Sequence, residues 1–144
     1  MSGGLFLIAR IADQAVALSA VTVESVIEVD RIVPVPRVEP HVAGLFALRS
    51  RILSVIDSRA VLGLGTVERS ARMMAVVVTV DGHGYALLVD AVEDVIEASP
   101  PEPCRAIIEG RWRDFATGII RHGERAVLLL DASAMITGRL VQAA

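Results

Sequence analysis

The chain contains its own sequence twice, and few architectures accommodate that. Residues 16–28 and 85–97 align at an offset of 69 with seven of thirteen positions identical: Ala17/Ala86, Leu18/Leu87, Val23/Val92, Glu24/Glu93, Val26/Val95, Ile27/Ile96 and Glu28/Glu97. A second correspondence runs from Gly44 to Asp57 and from Gly118 to Asp131, each spanning 13 positions, at an offset of 74. The later copy therefore carries 74 − 69 = 5 extra residues, placed most simply within residues 99–113. A unit of this length lies outside the roughly 20–50-residue periods of solenoids and suits a small lobe. Alone, such a lobe buries only a thin core, so two of them are expected to bury apolar surface against each other. The expected division is a first lobe over about 5–63, a linker over about 64–72 rich in glycine and polar residues, and a second lobe over about 73–140, with terminal strands able to exchange between lobes.

Within each copy the runs are strand-sized. Leu5 to Ile11 and Gln14 to Ala20 flank Ala12-Asp13 as a hairpin would, and Glu24 to Arg31 forms a third run. Val33-Pro34-Val35-Pro36 excludes a helix and marks an extended edge or loop, because proline lacks the amide donor. Leu45 to Arg49 and Arg51 to Ile56 make a second hairpin around Ser50. The second copy repeats the series from Met73, with Asp81-Gly82 as a turn. Five short strands per lobe predict a small closed barrel, since closure removes exposed edges. Asp57 and Asp131 each precede a short helical stretch closed by Gly63 or Gly138, which reads as an N-cap and a glycine stop. Asp90-Ala91-Val92-Glu93 has the spacing of a capping box.

Composition narrows the functions. Hydrophobic residues make up 53% of the chain, which excludes a disordered tail, yet the longest apolar runs are strand-sized and too short for a transmembrane helix. The net charge is −3, all 14 basic residues are arginine, and they form no stripe, so a nucleic-acid partner is not expected. Cys104 is the single cysteine and cannot form an intrachain disulfide, in keeping with a cytoplasmic protein. His41, His83 and His122 are far apart without ligand spacing, so neither metal nor cofactor is expected.

Four segments in order are similar to the CheW family of chemotaxis coupling proteins. They are Val23-Glu24-Ser25-Val26-Ile27-Glu28; Val33-Pro34-Val35-Pro36; Val42 through Arg59; and Leu87 through Glu97. The family's patterns at the first three are V-x-E-I-I, P-V-P and V-x-G-V-x-N-L-R-G-x-I-x-P-V-I-D-L-R, and the fourth resembles its second-lobe signature. Gly118 and Leu129-Leu130-Asp131 fit its last hairpin. The chain departs at Ala47, Ser50 and Ser54, where the pattern has asparagine, glycine and proline, and Ser50 is expected to alter the turn. The resemblance implies an all-β fold of two packed SH3-like five-stranded barrels. It also implies a non-catalytic cytoplasmic adaptor joining the cytoplasmic tip of methyl-accepting chemoreceptors to the regulatory domain of the histidine kinase CheA.

The resemblance further implies a receptor-binding set of Gly44, Arg49, Val92 and Val95, with Val23 in the same groove, and leaves the kinase face unassigned. Each residue has a plainer reading. Arg49 could be a solvated strand-end arginine, the valines could be core, and Gly44 and Gly118 could admit a close backbone approach or merely shape a turn. Trp112 could anchor a partner or cover a barrel mouth. Asp57, Asp90 and Asp131 read as caps rather than a carboxylate cluster, and His122 with Asp131 lacks the spacing of a triad. Two other functions remain: the coupling part of a CheV-like protein, and a small β-barrel ligand-binding protein or enzyme. The latter would need titratable groups converging on an inter-lobe pocket.

Overall fold

The structure is a computed structural model that describes residues 3–104, 108 and 110–138. It contains ten strands: β1 Gly4–Ile11, β2 Gln14–Ser19, β3 Val23–Val29, β4 Val42–Leu48, β5 Arg51–Asp57, β6 Met73–Val80, β7 His83–Val89, β8 Ala91–Ala98, β9 Ala116–His122 and β10 Arg125–Leu130. Three short helices join them: α1 Ser58–Val61, α2 Trp112–Phe115 and α3 Ala132–Thr137. A single 3-10 turn at Ala20–Thr22 separates β2 from β3.

The strands form two five-stranded sheets, ordered β8-β1-β2-β10-β9 and β3-β6-β7-β5-β4. Substituting each strand by its counterpart in the other copy turns one order into the other. The sheets do not follow the two contiguous halves of the chain. The β1–β2 hairpin sits with β8, β9 and β10, and the β6–β7 hairpin sits with β3, β4 and β5. Each lobe is therefore stitched from both halves, and the crossings at Ala20–Thr22 and Asp90 carry the chain between lobes.

The internal repeat extends to individual residue pairings. The parallel pairing of β5 with β7 sets Ser54 opposite Tyr85; that of β10 with β2 sets Leu128 opposite Val16. These are the same pair displaced by the two offsets, since 54 + 74 = 128 and 85 − 69 = 16. The isolated bridges Val33↔Leu45 and Glu102↔Ile119 also correspond, as 33 + 69 = 102 and 45 + 74 = 119. The five extra residues thus fall between Glu102 and Ile119, a stretch that includes residues 105–107 and 109, outside the described set.

Alternation explains why the inner strands read as unbroken apolar runs. In β1, Phe6 and Ile8 point into their own lobe with Ile96, Ile120 and Val127, while Leu7, Ala9 and Ile11 point into a core shared between lobes. In β6, Ala75 and Val77 face the other lobe's interior while Val76 and Val78 face the shared core. A strand covered on both faces needs no polar side. The outer strands β3 and β8 keep one wet face, with Glu24, Glu28, Glu93 and Glu97 exposed. Edges β8 and β9 of the first sheet come into contact, which curls that sheet towards closure. Among the described residues no helix is long and apolar enough to cross a membrane.

Asp57 and Asp131 are the expected N-caps, accepting from the amides of Ala60 at 3.2 Å and Ala134 at 3.0 Å. Asp90 is not a helix cap. Ala91 begins strand β8, because β-branched Val92, Val95 and Ile96 pair along β1. The α2 turn packs its Trp112 against the shared core.

Ser58 occupies the first position of α1, where the family pattern carries leucine. It is fully buried, and its hydroxyl has no hydrogen-bond partner. The corresponding residue of the other copy is Ala132, equally enclosed. Ser58→Ala removes an unpaired buried hydroxyl and is expected to raise stability by about 1 kcal/mol. A chemical-denaturation midpoint that moves upward without a change in slope would show it.

Candidate docking surface

Arg49, one of the expected receptor-binding residues, sits on the tip of the β4–β5 hairpin. Arg49 and Ser50 make its turn, and the left-handed conformation falls on Arg49, at φ 55, rather than on Ser50. The guanidinium is thereby carried on an exposed corner. Ser25, Ile27, Leu48, Arg49, Ser50 and Arg51 line a hollow of about 410 Å³ at this corner.

Arg51, two residues away, is tied down. It crosses the outer face of the second sheet and donates to Glu24 on β3, which also accepts from the Thr79 hydroxyl at 3.1 Å. Gly84 of β7 makes the crossing possible, because a Cβ there would lie 2.5 Å from the guanidinium. The hydrogen bond from Arg51, reinforced by Thr79, holds the Glu24 carboxyl below its ordinary range. Two arginines on one hairpin thus have different roles: Arg51 is engaged within the sheet, and Arg49 is presented outward. A lone glycine inside the otherwise strand-like His83-Gly84-Tyr85 was the sequence signal for this crossing.

Gly44 and Gly118 lie where the backbone of a bridging residue passes over the strand. A Cβ on Gly44 would meet the Val33 carbonyl oxygen at 2.2 Å, and one on Gly118 would meet that of Glu102 at 2.8 Å. Both glycines therefore admit a close approach. Gly44 is buried. Val95 is 54% exposed on β8 of the other sheet, while Val92 and Val23 are half-buried against the shared core. Val23 and Val92 are counterparts in the two copies, on β3 and β8 of different sheets. The four residues are thus divided, Gly44 and Arg49 on one lobe, Val92 and Val95 on the other.

The polar groups elsewhere hold the frame. Asp57, 1% exposed, accepts from Ala60, from the Val67 amide at 3.0 Å and from Arg69 at 2.8 Å, which pins the connecting strap onto α1. Asp90 accepts from the Ala12 amide and pairs with Arg59 at 2.9 Å; that hydrogen bond raises the guanidinium's affinity for its proton. Neither partner of Asp90 was foreseen, because they come from 78 and 31 residues away. Among the described residues, no group of three or more His, Cys, Asp or Glu side chains could hold a metal ion.

The three bonds to Asp57 against one to Asp131 give a graded expectation. Asp57→Ala strands two amides and releases Arg69, and should cost about 3 kcal/mol; Asp131→Ala loses one cap and should cost about 1 kcal/mol. Parallel urea titrations of the two variants check the order.

This is the outline of a two-lobed β scaffold, with polar groups fastening its parts and an arginine set outward on a hairpin tip. Residues 5–139 match the CheW-like domain, and the chain belongs to that family. It is 29% identical over 146 aligned residues to the chemotaxis protein CheW of Rhizobium meliloti (strain 1021), covering 99% of this chain and 94% of that one. Chemotaxis protein CheW of Thermotoga maritima is 28% identical over 127 residues, 88% of this chain and 83% of the relative. The fold matches the crystal structure of scaffolding protein TtCheW from Thermoanaerobacter tengcongensis with a TM-score of 0.81, at 22% identity and 98% coverage of both chains. The protein is accordingly a chemotaxis coupling adaptor of the non-catalytic scaffold type. The alternatives of a ligand-binding barrel or enzyme and of a CheV-like fragment are not favoured.

Proposed function

We propose that this adaptor works in the cytoplasm, coupling the cytoplasmic tip of a chemoreceptor to the regulatory domain of the kinase CheA. The observation that carries this reading is the match to the CheW-like domain across both lobes, residues 5–139. A scaffold of this kind needs no reacting groups. Its two lobes share one core, so they present their outer faces on one body. Binding two partners on such a body raises the effective concentration of each for the other. Signalling is then a shift in population among assembled states.

The receptor contact is assigned to Arg49 and Val95, both exposed, with Gly44 shaping the backbone beneath the hairpin and Val92 supporting β8 from the shared core. Titration of the purified chain with a CheA regulatory domain and, separately, with a receptor-tip fragment tests the reading. Binding to both, and a ternary complex that co-elutes, is the expected result. Binding to neither would overturn the adaptor assignment.

A further inference from the structure

The two lobes meet along two seams that the internal repeat makes equivalent, and only one is sealed. At the sealed seam, the crossing residue Asp90 accepts from the amide of Ala12, in the β1–β2 hairpin of one lobe. Its carboxylate also takes the Nε of Arg59 at 3.1 Å and Nη2 at 2.9 Å, from α1 of the other lobe. The pair is partly covered, with side chains 31% and 21% exposed. A charge-assisted bond at this degree of burial is stronger than a surface pair.

The offsets identify the counterparts at the other seam. Asp90 becomes Val21 (90 − 69), Arg59 becomes Ser133 (59 + 74), and Ala12 becomes Asp81 (12 + 69). The hairpin turns are repeated, as Ala12 and Asp81 both have φ 51, whereas the crossing is a 3-10 turn at Ala20–Thr22 and a single bend at Asp90. The fastening is not. Val21 is 94% exposed. The seam is an open cleft of about 380 Å³ lined by Val21, Thr22, Val23, Val78, Ala132 and Ser133 among others. A second hollow of about 330 Å³ continues past Thr22 and Ser133.

We infer that the lobes rock about the Asp90–Arg59–Ala12 fastening, opening and closing at the Val21–Ser133 seam. The sealed side resists separation because opening it strands a carboxylate and a guanidinium. Among the described residues no ion pair like Asp90–Arg59 bridges the cleft between Val21 and Ser133, so this side is the softer direction of deformation. The hinge and the mouth lie at equivalent places in the two copies, so a force on one lobe rotates it relative to the other. A chain that repeats itself has thereby acquired a direction.

Hydrogen exchange on the intact protein tests this. Amides of residues 20–24 are expected to exchange about tenfold faster than those of residues 89–93, although the two segments occupy equivalent positions. Copying the sealed seam into the open one, with Val21→Asp, Ser133→Arg and Asp81→Ala together, should slow residues 20–24 to the rate of 89–93. The melting temperature should rise by roughly 3 °C. Asp90→Asn should speed residues 89–93 without the copied seam being present. Equal exchange at the two seams of the unmodified protein would overturn the inference even if the triple variant failed to fold. So would a folded triple variant whose residues 20–24 exchange as before.

Discussion

Gly44→Ala is expected to destabilise the protein by about 4 kcal/mol. Two penalties act at once. The backbone at Gly44 has φ +147, a region that L side chains rarely adopt, which costs on the order of 1–3 kcal/mol. The added Cβ would lie 2.2 Å from the Val33 carbonyl oxygen and 2.8 Å from the Ile32 side chain, so the bridging segment must move, at a further cost of about 1–3 kcal/mol. That movement breaks the reciprocal bonds between Val33 and Leu45, both at 2.8 Å. Gly118→Ala is the internal control. Its bridge to Glu102 has the same pattern, but the clash is at 2.8 Å and the backbone is not left-handed, so about 1–2 kcal/mol is expected. Urea unfolding of both variants settles the order, and a Gly44→Ala chain as stable as the parent would refute it.

The result also bears on the role given to Gly44 in receptor binding. A residue buried beneath a bridging backbone acts through the shape of its hairpin. Loss of receptor binding on Gly44 substitution should therefore come with loss of stability, and with loss of kinase binding at temperatures where the chain unfolds.

The repeat itself was the most legible feature of the sequence. Ordered marks such as Gly44/Gly118 and Asp57/Asp131 survive divergence because each serves a local backbone need, close approach in one case and helix capping in the other. The offsets they define reappear in the parallel ladders that join the two halves of the chain within each sheet. What the sequence did not reveal is which sheet each hairpin joins. A β1–β2 hairpin buried on both faces looks the same whether it pairs with β3 or with β8, since alternation records burial and not partners. Asp90 shows the same limit. Its D-x-x-E spacing suits a cap, but a long-range pairing of β8 with β1 decides otherwise, and the carboxylate is used across the lobes instead.

The hairpin tip offers the sharpest functional separation. Arg49→Glu is expected to weaken binding of a receptor-tip fragment by at least about 30-fold while leaving the CheA regulatory domain bound as before. The physical case rests on what the side chain does within the protein. Among the described residues Arg49 forms no ion pair, in contrast to Arg51, which is held by Glu24. Glutamate at the same exposed turn therefore breaks no internal fastening, and stability should change by no more than about 0.5 kcal/mol. Against a partner, the reversal removes a fork of donors suited to carboxylates and backbone carbonyls and replaces it with a like charge. Losing such a contact costs about 2–4 kcal/mol, or roughly 30- to 1,000-fold in affinity. Arg51→Glu distinguishes the hairpin's shape from its charge: it sets Glu24 against a second carboxylate across Gly84 and should lower stability as well as binding. Isothermal titration of each folded variant with both partners provides the comparison. An Arg49→Glu protein that holds the receptor fragment within threefold of the parent affinity would move the receptor contact off this hairpin.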